Sequence, residues 1–68
     1  MAIIEFVGAA YNSSGKVLDV DAYALEPPYD LLRTWVDIIE EKAGNSVEYV
    51  EIIGAGVKKT IFRWELFA

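Results

Sequence analysis

The run Glu26-Pro27-Pro28-Tyr29-Asp30 constrains this chain more than any other. Neither proline can donate to a β-ladder, and Pro27 biases Glu26 away from helical backbone, so a strand cannot cross this point. Pro28 suits a first helical turn, where its missing N–H would be unpaired anyway. Asp30 then favours the positive end of the helix dipole. Lys42 falls in the expected last turn, and Gly44 or Asn45 supplies a left-handed stop. The spacing predicts one helix over 28–43. At 100° per residue, Leu31, Leu32, Trp35, Val36, Ile38, Ile39 and Ala43 fill one arc of it. That arc is broader than the roughly 100° stripe of a surface helix; the expectation is that the whole arc packs on the sheet, although either edge could protrude.

Two strand-like segments lie on each side of the helix. Residues 2–11 alternate with a wholly apolar even face of Ile4, Phe6, Gly8 and Ala10. Asn12-Ser13-Ser14-Gly15 is a turn by residue type. A second strand spans about 16–25, and Asp19 and Asp21 on one side mark that side as wet. Residues 46–53 form a third strand whose inner face the pattern leaves open. Gly54-Ala55-Gly56 reads as a turn, and 57–67 as a fourth strand with Thr60, Phe62, Trp64 and Leu66 on its apolar face.

The expectation is a single α+β domain over 1–68, a two-layer ββαββ sandwich with one helix packed on one face of a four-stranded sheet. Strand order stays open. One solution, 2-1-4-3 with strands one and four parallel, is similar in element order to the β-grasp arrangement of immunoglobulin-binding bacterial domains. The resemblance rests on element order alone and carries no functional residue to this chain.

Composition narrows function mainly by exclusion. A chain of 68 residues without cysteine or histidine has neither disulfides nor common zinc ligands to support a small core. Histidine acid–base catalysis and a Cys–His pair are likewise excluded. Hydrophobic residues make up 54%, with a mean hydropathy of +0.27. Self-association is the economical way to shelter that much apolar surface. The net charge of −5 and the single adjacent basic pair Lys58-Lys59 argue against direct nucleic-acid binding. No segment approaches the ~20 apolar residues of a membrane span. Met1 to Phe6 lacks a basic signal-peptide region, so a cytoplasmic location is expected.

Candidate chemistry is sparse. Asp19 and Asp21, near Glu5 or Glu65, could share a proton or hold a hard cation, although solvated strand acids are the norm. The Gly54–Gly56 turn lacks a phosphate-loop pattern. Trp35 and Trp64 suit a core better than a flat ligand. No cofactor, metal or catalytic residue is expected.

If the even strand faces pack under the helix, the outer face of the sheet holds Ile3, Val7, Tyr11, Val17, Tyr23, Leu25, Ile61 and Phe67, with Arg63 among its charges. A solvated sheet face is normally polar. These nine residues are therefore the candidate interface of a non-enzymatic module that self-associates, as a homodimer, through this face or a sheet edge. Two other readings remain open. One is an acidic inhibitor or adaptor, of the kind found in phages and mobile elements, that binds a basic surface of a larger protein. The other is a small-ligand or cation site between subunits.

Overall fold

The computed structural model describes residues 5–68. Four strands form one antiparallel sheet: β1 (Phe6–Tyr11), β2 (Val17–Tyr23), β3 (Tyr49–Gly54) and β4 (Val57–Phe62). The helix α1 (Tyr29–Ala43) lies between β2 and β3 in sequence, and a single helical turn, α2 (Arg63–Leu66), follows β4. The chain is thus the α+β ββαββ fold that the double proline predicts.

Pro28 is extended and caps α1, and Gly44, in the left-handed region at φ 68°, ends it by donating its N–H to the Glu40 carbonyl at 3.1 Å. The αL residue takes up a carbonyl that would otherwise go unpaired at the helix end. Leu32, Trp35, Val36 and Ile39 are buried against the sheet, while Leu31 and Ile38 form the protruding edge of the arc.

The strand order is β2-β1-β3-β4, so the 2-1-4-3 order and its β-grasp likeness do not hold. β1 pairs with β3 antiparallel, not with β4 in parallel. Charge explains the preference. The central strands β1 and β3 carry one charged residue between them, Glu51, whereas the edges carry Asp19 and Asp21 on β2 and Lys58 and Lys59 on β4. Edge strands can hold charges against water, and such charges discourage pairing with other chains.

Directly opposed residues of an antiparallel sheet share a face. The inner rows are therefore Asp19–Ala10–Val50–Ile61 and Asp21–Gly8–Ile52–Lys59. Val50 and Ile52 settle the inner face of β3. Gly8 is needed for close approach: a Cβ there would lie 3.2–3.3 Å from Ile52, Tyr23 and the Trp35 ring. Its absence lets Trp35 settle low over β1. The rest of the core is Ala10, Leu32, Val36, Ile39, Val47, Ile61 and Leu66.

Two phase assignments differ from the sequence reading. β2 carries an irregularity where Ala10 faces Asp19 but Tyr11 faces Val17. Downstream of it, Asp19, Asp21 and Tyr23 point to the helix side. In β4, the two-residue Ala55–Gly56 turn pairs Gly54 with Val57, which sends Ile61 inward and Phe62 outward. The strand also ends at Phe62, five residues early. Arg63–Leu66 contains good helix formers, and the Glu65 carboxylate accepts the Phe62 N–H at 2.8 Å, half of a capping box. Leu66 is buried by that turn, while Trp64 stands out in solvent.

Ala55 and Gly56 both have positive φ, 53° and 74°. This is the requirement of a type I′ hairpin turn, which alanine meets at a steric cost. Ala55→Gly is expected to raise stability by about 1 kcal/mol, a melting-temperature gain of roughly 4–8 °C. Thermal denaturation followed by circular dichroism measures it, and a lower melting temperature would contradict the turn assignment.

Candidate interaction surface

The face of the sheet turned away from α1 is built from three rows: Ala22–Val7–Ile53–Lys58, Val20–Ala9–Glu51–Thr60, and Val17–Tyr11–Tyr49–Phe62. Of these twelve residues only Glu51 and Lys58 are charged. Val7, Val17, Val20, Ile53 and Phe62 are exposed, Val20 at 57% and Ile53 at 49%. Four strands about 4.8 Å apart and six residues at about 3.4 Å each give the face a projected area of roughly 400 Å². Contiguous apolar patches of this size on a monomer are often functional.

Its polar and aromatic features are ordered. Tyr11 and Tyr49 stack across β1 and β3 with ring centroids 4.9 Å apart, and Phe62 tilts onto Tyr49 at 6.0 Å. Stacked cross-strand aromatics hold a rigid, amphipathic surface. Lys58 pairs with Glu51 at 3.1 Å. The Lys58 ammonium, and then the Tyr11 hydroxyl, hold the Glu51 carboxyl below its ordinary range, while Glu51 in turn raises the pKa values of Tyr11 and Lys58. The face thus carries one charge of each sign in a defined place.

Of the nine candidate residues, Val7, Tyr11 and Val17 lie on this face. Ile3 lies outside the described residues. Tyr23 sits on the inner side, edge-on to Trp35 with centroids 6.3 Å apart. Its hydroxyl is buried with no hydrogen-bond partner among the described residues, and burial, with Asp21 and Asp19 nearby, pushes its pKa up to about 12. Leu25 is exposed in the connection to α1. Ile61 is a core residue, 3% exposed. Arg63 belongs to α2 and forms a bidentate pair with Glu40 at 2.9 and 3.0 Å, and its guanidinium lies 4.7 Å over the Phe67 ring. Val20, Tyr49, Ile53 and Phe62 also belong to this face, although alternation along their strands does not place them there. The two-residue turn was the available signal for β4, because it ties the phase of that strand to β3.

The carboxylate grouping does not form. Glu5 extends β1 in the outward phase, Asp19 and Asp21 face inward, and Glu65 lies beyond the opposite edge of the sheet. The Asp19 carboxylate instead accepts the Trp35 indole N–H at 3.0 Å. Among the described residues, no group of three or more carboxylates could hold a metal ion. Nor, among them, is any helix long and apolar enough to cross a membrane.

No protein family, curated protein or solved structure matches the chain.

Proposed function

We propose that this chain is a non-enzymatic interaction module that self-associates by burying the outer face of its sheet against a second copy. The observation that carries this reading is the contiguous surface of Val7, Val17, Val20, Ile53 and Phe62, left uncovered on the side opposite α1. The edges are poorer candidates. Asp19 and Asp21 on β2, and Lys58 and Lys59 on β4, are the charges that blunt edge-to-edge pairing. The Glu51–Lys58 pair supports a two-fold arrangement, since each copy can offer both signs to the other and so fix the register.

Magnitude sharpens the reading. Two faces of roughly 400 Å² give about 800 Å² in total, below the ~1,200 Å² lower bound of stable interfaces. The assembly is therefore weak and reversible, and its extent depends on concentration. Val20→Glu and Ile53→Glu are expected to weaken it by at least tenfold, because each adds a carboxylate to a face that is desolvated between two acidic copies. Ile53 faces Lys58 across the strands, so the new acid there also has a partner within its own chain and the fold is kept. Sedimentation equilibrium measures the shift. Unchanged association in both folded variants would reject this face.

A further inference from the structure

The two flanks of the sandwich carry complementary features that no single copy can bring together. β4 is one edge of the sheet and leads into α2, where Trp64 is 71% exposed. At the other edge, β2 and α1 enclose a cleft of about 240 Å³ lined by Leu18, Asp19, Ile38, Ile39, Lys42 and Ala43. We propose that Trp64 of one copy seats in the α1–β2 cleft of the next, a head-to-tail contact separate from the sheet face.

Three arguments support the match. The first is size. The cleft is smaller than the roughly 300–1,000 Å³ of small-molecule sites, but larger than the ~150 Å³ cavity that accepts a benzene ring. A single indole is the natural occupant. The second is chemistry. Leu18, Ile38, Ile39 and Ala43 give apolar walls, and the Lys42 ammonium can lie against an aromatic face, for which tryptophan is the best partner. Asp19 already accepts one indole N–H, that of Trp35, through Oδ2, and its other oxygen is left for a second. Phenylalanine would not use that acceptor. The third is charge. Glu65 sits beside Trp64, and Lys42 sits in the cleft wall; among the described residues neither makes an ion pair.

The knob is also held rigid. Arg63 grips Glu40 on α1, Arg33 donates to the Leu66 carbonyl at 3.0 Å, and Leu66 is buried. Preorganised aromatic anchors are the residues that most often dominate an interface. A head-to-tail contact that does not close on itself propagates into chains or closes into rings.

The test uses the full chain carrying Ile53→Glu, so that the sheet face contributes little, and equally, to every variant. Sedimentation velocity of this parent should show species that grow with concentration. Adding Trp64→Ala removes the knob, and adding Ile38→Glu removes the hole. Each is expected to give monomers with an unchanged circular dichroism spectrum, because both positions are exposed. Lys42→Glu, in the same wall, repeats the hole variant should Ile38→Glu misfold. Mixing a knob-less with a hole-less variant should restore a 1:1 dimer and nothing larger, since one knob and one hole remain. A monomeric parent, an unchanged mass distribution on loss of Trp64, or a mixture that stays monomeric would overturn the proposal. None of these outcomes bears on the sheet face, which Ile53→Glu weakens alike in every variant compared.

Discussion

Ile61→Asp is expected to leave a chain that does not fold, while Phe62→Asp, one residue later, is expected to fold and lose association through the sheet face. Ile61 is 3% exposed between Val50 and the helix layer. Replacing it forfeits roughly 2–3 kcal/mol of apolar burial and places an unpaired carboxylate in the core, for a total of about 5 kcal/mol or more. A domain of this size has only about 3–5 kcal/mol to lose. Phe62 faces the other way and touches Tyr49 at its rim. An aspartate there costs about 1 kcal/mol of cross-strand packing. It also stands at the N-cap of α2, a position aspartate suits. Circular dichroism and sedimentation together read both outcomes. A folded Ile61→Asp chain would reverse the phase of β4 and with it the identity of the outer face.

The second large effect is expected at Glu40. Its carboxylate receives two hydrogen bonds from Arg63 and one from the Val47 N–H at 2.8 Å, so it joins α1, α2 and the entry to β3. Glu40→Ala leaves the Val47 N–H and the guanidinium without their partner. Because Arg63 is half-exposed and can turn to water, the expected loss is about 2 kcal/mol, or roughly 8–16 °C in melting temperature. Acid should produce part of the same loss. The Arg63 hydrogen bond lowers the pKa of Glu40 below its ordinary value; burial opposes it less strongly, and the Val47 N–H adds a smaller lowering. A depressed pKa stabilises the fold fully above the unfolded carboxyl value and is lost as pH falls through the folded one. Stability should therefore decline below about pH 4.5 in the wild type, and with a shallower slope in Glu40→Ala. Identical slopes in acid titrations of the two proteins would remove Glu40 from this role.

The architecture was legible because its signals are local. Two prolines stop a strand, Gly44 stops the helix, and turn residues at 12–15 and 54–56 divide each half into a hairpin. The existence of an apolar outer face was legible too, but most of its membership, Val20, Tyr49, Ile53 and Phe62, was not. Asp19 and Asp21 suggested a wet outer side, yet an edge strand at the flank of the helix can keep acids on the inner side, where Asp19 meets Trp35. The irregularity near Leu18 that sets this phase depends on pairing with β1, which alternation along β2 does not reveal. In β4, Trp64 and Leu66 lent the even positions an apolar character that belongs to α2 instead. Strand order depended on which strands could tolerate water at an edge, a property of all four compared rather than of any one.

Methyl NMR on dilution tests the central claim most directly, because it reads the two faces of the sheet separately. On dilution from about 500 µM to about 5 µM, concentrations at which a weak millimolar-to-micromolar assembly dissociates, signals of Val7, Val17, Val20 and Ile53 should move, while those of Val36, Val50 and Ile61 stay fixed. Outer-face methyls that hold their positions across that range would contradict self-association through the sheet.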